Sequence, residues 1–170
     1  MTGRIARLDA RRRFEVLAGS LRRELYAYAF WLSRDPQLAE DVVQEALLRA
    51  WRGFDGLADE ARAKPWFATI VRREFLRARE RRREEAVDPG QLAELAADTA
   101  DPLVEELREA LFRLEDNYRE PLVMQVVLGY SVDEIAQALE MTPGAVLTRL
   151  HRAREKLKAM FVEGRGDRHE

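Results

Sequence analysis

The spacing of apolar residues predicts helices along nearly the whole chain. In the N-terminal part, apolar residues recur at intervals of three or four, which places them on one face of a helix: Leu17, Leu21, Leu25, Tyr28 and Leu32. Asp35 and Pro36 are residue types typical of an N-cap and a first helical position. No long run alternates with a period of two, as a sheet would require, so we predict an all-α fold.

A second and a third helix follow from the same pattern. The helix that begins at Pro36 is predicted to bury Leu38, Val42, Val43, Ala46, Leu47, Ala50 and Trp51. We expect a polar loop over residues 53–64. Pro65 is predicted to start the third helix, which is apolar at first and then almost purely basic.

The C-terminal third contains signals for several shorter helices. The segment from Tyr118 to Pro121 predicts a break and a new helix start, and Gly129 the end of that helix. Ser131 and Glu134 have the spacing of a capping box for a short helix over 132–139. Thr142 and Pro143 predict the N-cap and first residue of a longer helix, whose predicted inward side chains are Val146, Leu150, Ala153 and Leu157.

The short capped helix, the tight turn and the longer basic helix together are typical of a helix-turn-helix. Its second helix can enter the major groove, where arginine recognises guanine and other cations hold phosphates. The outward face of that helix carries Thr148, Arg149, His151, Arg152, Arg154, Lys156 and Lys158. The alternative is an ordinary helical hairpin with a solvated cationic face.

Composition excludes several protein classes. The chain has 170 residues, of which 46% are hydrophobic, enough for a core, and it has no cysteine. Without cysteine there is no disulfide framework and no thiolate zinc site, as expected for a protein of the reducing cytoplasm. The N-terminus lacks the apolar core of a signal peptide, and no segment has the length of a membrane span, so we expect no membrane insertion.

Charge divides the chain into blocks. Residues 62–83 have nine bases and two acids, a net of +7, while residues 84–120 have twelve acids and three bases, a net of −9. Residues 142–158 have five bases and one acid, a net of +4. The overall charge of −2 therefore hides two basic surfaces separated by an acidic stretch.

The acidic stretch contains two prolines, a Pro-Gly pair and no aromatic residue over residues 84–102, which is typical of a linker. We therefore predict two small helical domains and a short tail. The predicted boundaries are 10–84 for the first domain, 85–103 for an acidic flexible linker, 104–162 for the second domain and 163–170 for the tail.

Two features of the first domain suggest binding surfaces. Asp41, Gln44 and Glu45 are three and four residues apart and form an acidic patch, although a solvated face that suits the helix dipole explains them equally well. Trp66 and Phe67 precede a run of arginines, a combination that suits single-stranded DNA. For these two rings, a place in the core is an equal alternative.

Four segments resemble the extracytoplasmic-function (ECF) sigma factors of the bacterial sigma-70 family. Residues 35–51 (DPQLAEDVVQEALLRAW) resemble regions 2.1–2.2, and residues 65–72 (PWFATIVR) resemble the start of regions 2.3–2.4. Residues 130–139 (YSVDEIAQAL) and 145–157 (AVLTRLHRAREKL) resemble region 4.2. The resemblance extends from Leu17 to Phe161 in the family's order and spacing.

The resemblance implies a promoter-directed initiation factor. Contact with the β′ clamp helices of core RNA polymerase is implied for Asp41, Gln44, Glu45, Leu48 and Arg49. Contact with the −10 element, with a base captured near loop 53–64, is implied for Arg62, Lys64, Trp66, Phe67, Arg72, Arg73 and Arg77. Contact with the −35 element is implied for Thr142, Thr148, Arg149, His151, Arg152 and Arg154.

Further partners follow from the same resemblance. The apolar side of the second domain would contact the β flap, the acidic linker would thread the basic RNA channel, and an anti-sigma factor would cover both domains. Arg73 and Arg77 stand where the family usually has Asn and Asp, and Leu147 stands where it often has Lys or Arg. These departures leave the promoter sequence open.

Other functions are alternatives to this one. A sigma-like decoy would sequester an anti-sigma factor without activating promoters, and a plain helix-turn-helix repressor would leave the acidic patch unexplained. An enzyme is not expected, because the only histidines, His151 and His169, lie far apart and no cysteine accompanies them. We predict no catalytic residue, no metal and no cofactor.

Overall fold

The computed structural model describes residues 2–84 and 102–166, and all the regular structure in those two ranges is helical. The chain divides into two compact units, Met1–Ala93 and Glu94–Glu170. This confirms the all-α fold with two helical domains. None of the helices in the described ranges is both long and apolar enough to cross a lipid bilayer.

The first unit is a bundle of three helices in mutual contact: α1 (Thr2–Ser33), α2 (Pro36–Gly53) and α3 (Ala63–Glu84). Its core is made by the predicted inward faces, with Leu25, Tyr28, Val43, Phe67 and Val71 fully buried. Two side chains that were expected inside α2 are not fully buried. Leu47 is half-buried, and the prediction for Trp51 is wrong, since Trp51 is 43% exposed although one part of its ring packs on Phe14.

The connection between α2 and α3 is less polar than predicted. It forms two short 3-10 turns, Phe54–Gly56 and Glu60–Arg62, and the side chains of Phe54 and Leu57 are buried. Helix α3 begins two residues before Pro65. Proline is tolerated there because a nitrogen in the first turn has no partner within the helix.

The second unit contains α4 (Pro102–Arg113), α5 (Asp116–Val127), α6 (Val132–Ala138) and α7 (Pro143–Gly166). Helix α7 contacts the other three helices. Among the side chains fully buried in this core are Leu114, Met124, Ile135, Val146 and Leu150. The predicted inward stripe of α7 is thereby confirmed at Val146 and Leu150.

The predicted helix start at Pro121 is wrong, because α5 begins at Asp116 and Pro121 lies inside it. The earlier start is held by Arg119, which is buried. Its guanidinium donates a hydrogen bond to the carbonyl of Leu114 over 2.7 Å and pairs with the carboxylate of Asp116. Pro121 is itself packed in the core, which offsets the hydrogen bond that its nitrogen cannot make.

The predicted caps around the helix-turn-helix are confirmed. The backbone N–H of Glu134 donates to the Ser131 hydroxyl over 3.2 Å, and the N–H of Ser131 donates to the Glu134 carboxylate over 2.8 Å. The hydroxyl of Thr142 accepts a hydrogen bond from the N–H of Ala145 over 3.2 Å. These bonds satisfy backbone donors that the first turns of α6 and α7 leave without a helical partner.

Three helices extend beyond the predicted boundaries of the domains, linker and tail. Helix α1 begins before residue 10, α4 takes in the last two residues of the predicted linker, and α7 continues into the predicted tail. The rest of the linker, 85–101, and the end of the tail, 167–170, lie outside the described residues. The domain limits stay predictions.

The turn between α6 and α7 uses a left-handed residue that is not glycine. Glu140 has φ 54°, and the N–H of Met141 donates to the carbonyl of Ala136 over 2.8 Å. This is the helix C-terminus at which glycine is favoured, because a Cβ in this conformation is strained. Gly129, which ends α5 at φ 69°, uses glycine as expected.

We expect Glu140→Gly to raise the free energy of unfolding by up to about 1 kcal/mol, since it relieves that strain. Gly129→Ala is the reciprocal variant and is expected to lower it by about 1 kcal/mol. Space is not the cause, because no atom lies within 4 Å of a Cβ built at Gly129. Urea denaturation of both variants measures the two effects, and a Glu140→Gly variant less stable than the wild type would contradict the argument.

Candidate functional site

Helix α2 is fixed at its N-terminus by Asp35. The Asp35 carboxylate accepts hydrogen bonds from the N–H groups of Gln37 and Leu38 over 2.9 and 3.0 Å, and Arg82 of α3 donates to it over 3.0 Å. Partial burial works against the charged form, but the hydrogen bonds from Leu38 and Arg82 outweigh it and hold the pKa of Asp35 below its usual value. The start of α2 is thereby tied to the end of α3.

The structure brings the five residues predicted to bind polymerase together on one exposed strip of α2. We call this surface the α2 strip, and it consists of Asp41, Gln44, Glu45, Leu48 and Arg49. The Asp41 carboxylate accepts a hydrogen bond from the Gln37 side chain over 3.0 Å, and Glu45 pairs with Arg49 over 3.1 Å. Leu48 is 55% exposed in the middle of this strip, so the surface combines acidic groups with one apolar side chain.

A buried carboxylate under the α2 strip was not predicted from the sequence. Glu74 of α3 is only 3% exposed, and its carboxylate lies 2.8 Å from Nε of Arg49 and 2.6 Å from Nη1 of Arg77. Both arginines extend from the surface, one on each helix. The sequence signal for this site is the spacing of Glu74 between Val71 and Ala78, which places it on the buried face of α3.

A groove runs beside this ion pair. Three acidic side chains, two arginines and three apolar side chains line it: Leu38, Asp41, Val42, Glu45, Glu74, Ala78, Arg81 and Arg82. We call the last turn of α3, with Arg81, Arg82 and Arg83, its basic end. The α2 strip and the basic end of α3 are therefore the two sides of one continuous surface.

The aromatic residues at the start of α3 belong to a cluster with the core. The Phe14 ring of α1 lies 5.2 Å from the Trp51 ring, 5.3 Å from Phe54 and 5.8 Å from Phe67. Phe67 is 1% exposed, so its ring faces are not available to a DNA base in this structure. The core alternative therefore describes Phe67. The Trp66 ring packs on Phe67 and stays partly exposed.

The loop before α3 is also held by Arg13, a contact that sequence reasoning missed. Its Nε donates to the Glu60 carboxylate over 2.7 Å, and its guanidinium lies 5.7 Å from the centre of the Phe54 ring. Both Arg13 and Phe14 come from α1, more than forty residues earlier in the chain. No local spacing in the sequence could have revealed this contact.

The basic residues predicted to face the −10 element differ in their solvent exposure and in their ion pairs. Arg62 and Arg73 are exposed, Arg72 is half-buried, and Lys64 forms an ion pair with Glu24 over 2.6 Å. Arg77 is engaged by Glu74. The exposed cationic surface of α3 is therefore centred on Arg73 and on the arginines of the last turn.

Helix α7 presents most of the predicted −35 residues to solvent. His151, Arg152 and Arg154 are exposed, and Arg154 also donates to the Gln125 side chain over 2.5 Å. The hydroxyl of Thr148 donates to the carbonyl of Gly144 over 3.0 Å. Thr142 is also exposed, and its hydroxyl caps α7 as described above, whereas Arg149 is half-buried.

Within residues 2–84 and 102–166, no three His, Cys, Asp or Glu side chains are grouped so that they could hold a metal ion. Apart from the buried Glu74 and Arg119, most charged groups of the described residues lie on helix surfaces that face solvent. Such surfaces are suited to binding other macromolecules.

Two family models match the chain. Sigma-70 region 2 matches residues 17–85, and sigma-70 region 4 matches residues 104–157. The ECF RNA polymerase sigma factor EcfG of Rhodopseudomonas palustris is 33% identical over 156 residues, which cover 84% of this chain and 82% of that protein. This chain is an ECF sigma factor of the sigma-70 family. Sigma factors are transcription initiation factors and not enzymes.

Other comparisons agree with this assignment. The ECF sigma factor SigL of Mycobacterium tuberculosis is 32% identical over 147 residues, covering 82% of this sigma factor and 83% of SigL. The sigma factor RpoE of Bartonella quintana, solved in complex with the anti-sigma factor NepR, has a TM-score of 0.73 at 27% identity. The similarity covers 90% of this chain and 96% of that one.

Glu74 gives a testable prediction, because it is the shared partner of Arg49 and Arg77. We expect Glu74→Gln to lower the free energy of unfolding by about 1–2 kcal/mol, since the charge that hydrogen-bonds to Arg77 and pairs with Arg49 is lost while both arginines can reach water. Arg77→Ala should then cost about 0.5–1 kcal/mol less in the Glu74→Gln background than in the wild type.

A double-mutant cycle followed by urea denaturation measures this coupling. Arg83→Ala is the matched control, because Arg83 is an exposed arginine of the same helix and should have the same effect in both backgrounds. Equal costs of Arg77→Ala with and without Glu74 would show that the carboxylate does not hold Arg77.

Proposed function

We propose that this sigma factor binds core RNA polymerase and directs it to promoters by contacting their −10 and −35 elements. The observation that carries the proposal is the presence of two surfaces in the first unit and one in the second: the α2 strip, the basic end of α3, and the exposed basic face of α7. Each has the charge that its expected partner requires.

The α2 strip is the surface we assign to the β′ clamp helices. It offers two carboxylates, an amide, one exposed leucine and an arginine that is already neutralised by Glu45 and Glu74. Carboxylates on a rigid helix suit a partner helix with basic side chains, and the exposed Leu48 supplies apolar area at the centre of such a contact.

The −10 element is assigned to α3 and to the loop in front of it. Arg62 and Arg73 are two of the exposed cations there, and Trp66 is the aromatic ring that a displaced base could reach. We leave Phe67 out of the contact surface because it is buried, and assign it the support of Trp66. Opening of the duplex then depends on binding energy, which compensates for the unpaired and unstacked bases.

The −35 element is assigned to α7, inserted in the major groove as the second helix of the helix-turn-helix. We assign the phosphate contacts to Arg152 and Arg154, which are exposed, as are His151 and Thr148. The apolar side of the second unit is assigned to the β flap. The predicted passage of the acidic linker through the RNA channel concerns residues outside the described ranges.

Control by an anti-sigma factor is part of the proposal. It is supported by the similarity to the RpoE protein that was solved with its anti-sigma factor NepR. Such a partner would compete for the α2 strip and for the second unit. Since the chain has no cysteine, we expect the regulator, and not this sigma factor, to sense redox signals in the cytoplasm.

In vitro transcription from a library of random promoters, with purified core polymerase, tests the function. Transcripts that require this protein and share upstream and downstream sequence elements are the expected result. Stable binding to core polymerase without transcripts would favour the decoy alternative. No binding to core polymerase would contradict the proposal and leave a DNA-binding protein.

The polymerase contact can be tested on the α2 strip itself. Asp41→Lys combined with Gln44→Lys is expected to weaken binding to core polymerase at least about tenfold, because it reverses the charge of the strip. The pair leaves Glu45, Arg49 and Glu74 in place, so helicity should not change. Asp9→Lys, an exposed acid of α1 outside the strip, is the control. Fluorescence titration measures the affinities, and unchanged binding would identify the strip as a solvated face.

The phosphate contacts can be tested through salt dependence. Arg152→Ala is expected to weaken promoter binding by the holoenzyme and to reduce the slope of log K against log salt by about 0.9, the value for one lost phosphate contact. Lys156→Ala is the matched control, because Lys156 pairs with Glu115 over 2.9 Å and lies over the Tyr118 ring. A slope that does not change for Arg152→Ala would exclude that contact.

A further inference from the structure

The N-terminal half of α7 has an outward face that includes one large, exposed apolar side chain. We call it the recognition face, and it consists of Gly144, Leu147, Thr148 and His151, which recur at helical intervals. Leu147 is 56% exposed and is the large apolar side chain of this face. It lies in the second turn of the helix, in the part of a recognition helix that contacts base edges.

The charged groups of α7 lie beside this face. Each residue turns the helix by about 100°, which places Arg152 and Arg154 on opposite flanks of the face and Arg149 toward the inward stripe. The hydroxyl proton of Thr148 is engaged by the carbonyl of Gly144. Leu147 therefore lies exposed beside His151 on this face, while the cations that attract phosphates are at its edges.

Gly144 is a second, independent observation on the same face. A Cβ built at this position has no atom within 4 Å, so packing inside the protein does not require glycine there. Its backbone is not left-handed either, since the glycine with positive φ in the described residues is Gly129. Glycine is a poor helix former, and its use here leaves space for another molecule to approach the helix closely.

The chemistry of base edges limits what an apolar side chain such as Leu147 can recognise. In the major groove, the hydrogen-bonding groups of the four base pairs demand polar partners, whereas the C5-methyl of thymine is matched by an apolar side chain. The flanking cations favour a nucleic acid as the ligand. The exposed leucine between them favours contact with the C5-methyl of thymine.

We propose that Leu147 contacts the methyl group of a thymine in the upstream promoter element, and that Gly144 allows the helix to approach closely enough for this contact. The inference rests on the proposed function and deepens it, since it names the base that this chain selects. Leu147 is then a specificity-determining residue, and this sigma factor favours an A·T pair where a lysine or arginine would favour guanine.

Replacement of thymine by deoxyuridine tests the contact, because it removes the methyl and leaves base pairing unchanged. The probe is the holoenzyme of core polymerase and this protein, bound to a promoter duplex obtained from the random library. Each thymine of the upstream element is replaced in turn. We expect one or two positions at which the wild type loses affinity about fourfold, the value for one buried methyl-sized group.

The leucine and the methyl should act as one unit. Leu147→Ala is expected to weaken binding to the thymine duplex by a similar or larger factor, and deoxyuridine at the sensitive position should then have no further effect. Val126→Ala is the matched control, since Val126 is a 73% exposed apolar residue of α5 outside the recognition face. It should retain the full deoxyuridine effect. Circular dichroism confirms that both variants are folded.

Two results would overturn the assignment of Leu147. One is a deoxyuridine effect of the same size in Leu147→Ala and wild type. The other is a loss of affinity in Leu147→Ala that is equal on thymine and deoxyuridine duplexes at every position, which would indicate contact with a protein. A holoenzyme without any sequence preference would instead contradict the proposed function, so the two failures are distinguishable.

Gly144→Ala tests the close approach separately. Because the added Cβ meets no atom of the free protein, the melting temperature should stay equal or rise. Promoter binding should fall, since the same Cβ would stand between the helix and the bases. Binding equal to that of the wild type would contradict the close approach on which the methyl contact depends.

Discussion

The packing of α2 against α3 positions both of the surfaces that we assign to partners of the first unit, and its charged centre is Glu74. A carboxylate that is only 3% exposed is costly unless it is paired, and here one arginine from each helix lies against it. The same group therefore holds Arg49 on the α2 strip and Arg77 on the basic helix. The two surfaces that we assign to polymerase and to DNA share this one support, so a shift of either helix would move both.

Helix α1 completes this support from the other side. Phe14 packs among the aromatic rings of α2, α3 and the connection between them, and Arg13 holds the loop through Glu60. The loop is thereby ordered by contacts within the unit before any partner binds. A loop that is already ordered does not spend binding energy on its own ordering, which leaves more of that energy for opening DNA in the proposed function.

Sequence reasoning succeeded where the determining contacts are local. Asp35, Ser131 and Thr142 cap their helices through backbone groups only two or three residues away, so residue type and spacing were sufficient to locate them. The roles of Glu74 and Phe14 depend on tertiary contacts. The sequence of a helix does not reveal which distant side chain a charged or aromatic residue contacts. Pro121 was misassigned because a buried arginine, Arg119, stabilises an earlier helix start.

The departures from the sigma family pattern have unequal consequences for DNA recognition. Arg77 stands where the family usually has an aspartate. Glu74 pairs with it, so the two side chains together carry no net charge. Arg73 is exposed and adds its full charge to the surface that faces the −10 element in the proposed function. Leu147 removes a charge from α7 and replaces it with an apolar group. In the proposed function, a promoter preference that differs from the family pattern should therefore arise at Arg73 and Leu147, where the chemistry presented to DNA has changed, and not at Arg77, where the change is compensated inside the protein.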